Sequence, residues 1–198
     1  AFSGATCELK VLGDAFATYD YGELPQQPVV AVVAGAPAGY KAILPTTRRV
    51  GEDFTLGFKG EDKWGNPSDR VSGRFTLEAS VPVKGLPAWI DVREGVHATR
   101  LDKLSVAAEG ELRIAVKNDR GEVVCTSNPM RIVREAPLLP FWADLHGQSE
   151  ETIGTNSARE LIEFARDRAF LDAMSHQGND FQITTPFWEA LNRLTAEY

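Results

Sequence analysis

The chain has 198 residues, 43% of them hydrophobic and 25% charged, with a formal net charge of -7, which suits one or two globular domains able to bury a core. With three histidines and no basic run longer than the Arg48-Arg49 pair, it offers no cationic face for a phosphate backbone, so nucleic acid is excluded as a partner class. No stretch approaches the roughly 18–20 continuous apolar residues of a membrane span, and the start lacks the order of a signal peptide, which predicts no membrane partner and a cytoplasmic location.

In chain order, residues 1–27 read as an extended N-terminal segment, in which ATCELKVL (5–12) could form a strand and DAFATYDYGELPQQP (14–28) a loop ending in a proline-marked linker. Residues 28–137 read as an antiparallel β-sandwich. Short strands are predicted at 29–33, 40–44, 53–59, 73–79, 88–92, 104–108, 111–117, 122–126 and 130–133, with turn residues between them. Phe54, Leu56 and Phe58 share one face of their strand, and Leu112, Ile114 and Val116 share one face of theirs. Trp64 and Trp89 are expected in or beside the core, and His97 in a loop. Cys7 and Cys125 are too far apart in sequence for a CxxC site and read as unpaired thiols.

After Arg134 the pattern changes. A linker, EAPLLP (135–140), leads into FWADLH, and helix signals begin: Ser157-Ala158-Arg159-Glu160 is a capping box followed by apolar residues at helical spacing. FLDAM (170–174) reads as a second strand, and Thr185-Pro186 as the cap and first turn of a second helix. The order strand, helix, strand, helix predicts parallel pairing. A parallel pair would deliver His146 and His176 to the same carboxyl end of the sheet, where α/β folds gather polar groups. Imidazoles beside carboxylates suit a divalent metal (Zn, Mn or Fe); the other reading is that each histidine caps its own strand. A parallel pair cannot cover both of its faces alone, so residues 139–198 should pack on the sandwich or exchange with another chain.

Three stretches resemble two known families. VGEDFTLGFKGEDKWGNP is similar to the opening of bacterial immunoglobulin-like modules, which implies that the sandwich is immunoglobulin-like. ADLHGQS and LDAMSHQGND resemble the first two strand ends of the polymerase-and-histidinol-phosphatase (PHP) superfamily of metal-dependent hydrolases, in its large bacterial multidomain form. That resemblance implies that residues 138–198 begin an α/β barrel, as a truncated βαβα unit. It further implies that His146 and His176 are metal ligands, with Gln148 at the place of the family's second histidine and Asp144 and Asp180 behind them; Glu150 or, as the expectation adopted, Glu151 would complete the donor set. Gln148 and Ser175 depart from the family's histidine and aspartate.

The chain begins with Ala1 and stops at Tyr198 inside a helical pattern, which suggests a fragment of a longer protein. The expected partners are then the remainder of the parent chain, a small-molecule ester or phosphoester, and a second copy in a homo-oligomer. The competing expectation is a non-catalytic sandwich used for binding or spacing, with an α/β docking tail.

Overall fold

A computed structural model describes residues 5–179 and 181–198. They form two compact units, 1–34 and 35–198, and both are rich in strands. In the first unit β1 (Ala5–Glu8) pairs antiparallel with β4 (Val29–Val32), and β2 (Leu12–Gly13) pairs with β3 (Gly22–Glu23). The Asp14 carboxylate organises the loop between β2 and β3 by accepting the Phe16 and Tyr19 amides and the Thr18 hydroxyl. That is how Asp terminates strands and shapes turns.

The second unit is built on antiparallel sheets. β5 (Gly39–Ile43) and β10 (Thr99–Leu104) flank the long central strand β7 (Phe54–Glu61). A facing sheet runs β13 (Val123–Thr126), β12 (Ile114–Lys117), β8 (Gly73–Ala79), β9 (Trp89–Val92). A third joins β11 (Gly110–Leu112), β14 (Met130–Val133) and β6 (Thr47–Arg49), in which β6 lies parallel to β14. The inward faces meet in one core containing Leu56, Phe58, Phe75, Leu77, Leu112, Ile114 and Val116. Phe58 stacks on Tyr40 with ring centres 5.9 Å apart and tilts against Phe75 at 5.0 Å, so aromatic pairing adds to area burial at the centre.

Several expectations shift. The single strand expected at 111–117 is divided at Arg113: Leu112 pairs with Met130, whereas Ile114 and its successors pair with β8 and β13. The strand expected at 104–108 lies earlier, at 99–104, with an irregularity before Leu104. The tryptophans are not core residues. Trp64, at the tip of a turn, is 78% exposed, and Lys63 lies over its ring. Trp89 points away from the core beside its inward neighbour Ile90 and is covered by the Arg74 guanidinium 5.1 Å from its ring centre.

That turn has its own anchor. Asp62 is buried, and its carboxylate accepts the Gly35, Trp64 and Asn66 amides at 3.0, 2.9 and 3.0 Å and the Asn66 side chain at 3.0 and 3.2 Å. The Gly35 amide above all, then the Asn66 side chain, hold this carboxyl far below the ordinary carboxylate range. A folded-state value below the unfolded one gives stability that is present above about pH 4 and lost as the pH falls from there. Asp62→Asn should therefore be less stable than the wild type at neutral pH and lose less on acidification from about pH 5 to 2, read by urea midpoints at each pH. Parallel pH profiles would count against this role.

The remaining residues add β15 (Ala143–Gly147), α1 (Ala158–Asp167), β16 (Ala173–His176) and α2 (Thr185–Thr195). β15 and β16 are parallel, with Ala143 opposite Ala173. The capping box at Ser157 and Glu160 forms, and Ile162 and Ala165 turn inward. α2 is capped by Thr184, one residue before the expected cap, which puts Pro186 in the first turn. Ala158, Ile162, Leu191 and Leu194 form a second, smaller core, with Met174 and Phe187 packed against it. This is a two-stranded βαβα appendage on a mainly β chain.

Candidate functional site

The expected site residues fall into two local groups. A register shift between Asp144 and Gly147 brings Gly147, and not His146, level with His176. One extra residue in β15 thus offsets the two histidines along the sheet. His146 is exposed; its main-chain amide donates to Asp144 Oδ1 at 2.9 Å, and its Nε2 lies 3.3 Å from Gln148 Nε2. Gln148 Oε1 is buried without a hydrogen-bond partner, an arrangement that costs free energy.

His176 is half-buried. Its Nε2 meets Ser149 Oγ at 2.8 Å, and its ring stands edge-on to Phe187 at 5.4 Å. Burial pushes its pKa below the ordinary histidine value, with the Glu151 charge opposing the shift. Glu151 is exposed, and Asp180 lies outside the described residues. Among the described residues no three His, Cys, Asp or Glu side chains come together as a group able to hold a metal ion.

Ser149, fully buried, was not foreseen. It is the hub of a loop closed on itself: its carbonyl accepts the Thr152 and Gly154 amides at 3.0 and 2.8 Å. A Cβ at Gly154 would stand 2.3 Å from the Gln148 carbonyl oxygen, so the tight loop needs glycine there. The sequence signal was present in GQSEETIG, where a small polar residue and a second glycine bracket the acidic pair.

The more extensive polar and apolar convergence lies where the appendage meets the sandwich. Along β7, Phe54, Leu56 and Phe58 enter the core, while Gly57 and Lys59 face the other way and are also buried. The segment after α1 covers them. Lys59 Nζ donates to the Arg168 carbonyl at 2.8 Å, pairs with Glu61 at 3.0 Å and lies 5.8 Å from the Phe170 ring centre. A Cβ on Gly57 would sit 2.7 Å from Phe170 ring atoms, so the missing side chain is the seat of that ring. Phe170 has φ +58, a left-handed conformation unusual for a bulky residue, which this packing holds in place.

Further links run from Arg100, the β10 partner of Gly57, to the Arg166 carbonyl at 3.3 Å and to Asp167 at 3.5 Å. The Trp142 indole N–H reaches Thr46 Oγ1 at 2.8 Å, and Arg49 donates to the Ala136 carbonyl at 2.6 Å. Beside this seam is a cavity of about 500 Å³, lined in part by Phe54, Trp142, Phe170 and Arg48.

No family model and no curated protein matches the chain. Among solved structures it is similar to the D0-D1 domain of intimin, at 10% identity over 57% of this chain and 58% of that one, with a TM-score of 0.37. It is also similar to domains 4 and 5 of the S-layer protein SbsC (18% identity, 65% of this chain, 58% of that one, TM-score 0.32). A longer SbsC structure, domains 4–9, matches at 20% identity over 70% of this chain and 21% of that one, with a TM-score of 0.34. The chain thus spans under two thirds of each.

These findings correct the PHP resemblance. No family model, PHP or other, matches the chain, so the hydrolase and metal-binding assignments drawn from the two short motifs lose their support. The physical reason is visible at the motifs themselves: the β15 shift offsets the two histidines, and the Gln148 and Ser149 contacts tie both of them into the loop that follows β15. Among the described residues no helix is long and apolar enough to cross a membrane.

Proposed function

We propose that the chain is a non-catalytic, immunoglobulin-like β-sandwich module for binding or spacing, with residues 138–198 as an α/β appendage docked on it. The observation that carries this reading is the covered outer face of β7: Phe170 seated on Gly57, and Lys59 bonded to the Arg168 carbonyl. A segment that spends its turn residues on filling a sheet face is serving as packing. In this reading His146 and His176 hold the 147–156 loop in shape through Gln148 and Ser149.

Limited proteolysis of the full chain tests the docking. The 135–140 linker should resist cleavage as long as the sandwich stays folded; early cleavage there, freeing a stable sandwich, would refute it. The non-catalytic part is tested by assaying bis-p-nitrophenyl phosphate hydrolysis with added Zn²⁺ or Mn²⁺. Turnover that disappears in both His146→Ala and His176→Ala would overturn it.

A further inference from the structure

The seam cavity carries a chemical signature of its own. Arg48, Arg100 and Arg166 line it with Asp53 and Asp172, but Arg100 and Arg166 both pair with Asp167, which leaves Arg48 as the cation that the cavity wall commits least. Arg48 is the informative residue, because its side chain is only 12% exposed. Its hydrogen bond runs from Nη1 to the neighbouring Thr47 carbonyl at 2.9 Å, and Nη2 stands 3.6 Å from Asp172 Oδ1, beyond hydrogen-bond distance. Asp172 Oδ2 already accepts the Trp142 amide at 2.9 Å. Its Cζ also lies 5.4 Å from the Phe141 ring centre, and the guanidinium N–H donors that Thr47 does not use form a planar fork able to meet an acceptor entering the cavity. The rest of the wall is aromatic and aliphatic: Phe54, Trp142, Phe170 and Leu171.

We propose that this cavity binds a small carboxylate with an apolar body, its carboxylate bridging to Arg48 and its body lying on Phe170 and Trp142. The volume of about 500 Å³ falls within the range of small-molecule sites, and arginine recognises carboxylates through paired N–H donors. The inference rests on the binding-module reading and names the ligand class for it.

The test is calorimetric titration of the full chain with 3-phenylpropionate and, separately, with its neutral isostere 3-phenylpropanamide. The acid should bind saturably and at least about tenfold more tightly than the amide, since the charge-assisted bonds exist only for the acid. Arg48→Gln should remove that preference while leaving the weak amide binding unchanged. Equal binding of acid and amide, no binding of either, or an unchanged preference in a folded Arg48→Gln protein would each overturn the proposal. If Arg48→Gln fails to fold, the comparison of acid with amide on the wild type decides alone. Failure here alongside a protease-resistant linker would remove the ligand and leave the docked module standing, whereas metal-dependent turnover would remove the module reading instead.

Discussion

Phe58→Ala is expected to cost about 3–5 kcal/mol, close to the whole stability of a marginal domain. The residue is 2% exposed at the centre of β7, and its ring meets Tyr40 and Phe75, which belong to different sheets. Truncation therefore removes apolar burial, opens a cavity and breaks the aromatic contact that joins the sheets. Urea denaturation should show a lower midpoint at unchanged slope. Trp64→Ala is the matched control: at 78% exposure on a turn tip it should change stability by less than about 1 kcal/mol. Equal losses in the two variants would mean that the core has been misplaced.

Gly57→Val should act differently, by separating the appendage from the sandwich. A side chain at this position collides with the Phe170 ring, and the backbone partners of Gly57, Ile43 and Arg100, belong to flanking strands and cannot yield. Overpacking of this kind costs about 1–3 kcal/mol. The loss should appear as faster amide exchange at Phe170 and Leu171 and faster cleavage in the 135–140 linker, with the sandwich core still protected. A double-mutant cycle isolates the contact: in a Phe170→Ala background the same substitution should cost at least about 1 kcal/mol less. Additive costs would place the ring elsewhere.

How far these features could be read in advance depended on whether the information was local. Period-two alternation in Phe54, Leu56 and Phe58 marked an inward face, and the Ser157 to Glu160 capping box marked a helix start, because each is a property of neighbours in the chain. The outward face of β7 was not legible. Gly57 and Lys59 look like a wet face, and only a partner more than 100 residues later buries them, as the Lys59 to Arg168 bond shows. Trp89 failed for the mirror reason: aromatic character suggested burial, while its place in the alternation, next to Ile90, put it outside.

The two histidines illustrate a third limit. Their positions at strand ends were correctly placed on a parallel pair, but the one-residue shift in β15 could not be seen from composition, and it decides what each ring faces. Short motifs carried the expectation further than their length warranted. Ser149 closes the ADLHGQS stretch and Arg48 belongs to the Arg48-Arg49 pair, but nothing in either marks these residues for burial, which is defined by what surrounds them.

The parallel pairing of β6 with β14 has a mechanical consequence. Arg131, Ile132 and Val133 run alongside Thr47, Arg48 and Arg49, and Val50 adds a bond to the Val133 carbonyl. Tension applied before β6 and after β14 would draw these strands in opposite directions along their shared axis, so their bonds would bear the load together and not open one after another. The sandwich is thereby latched against stretching along its own chain, a property of strand direction alone.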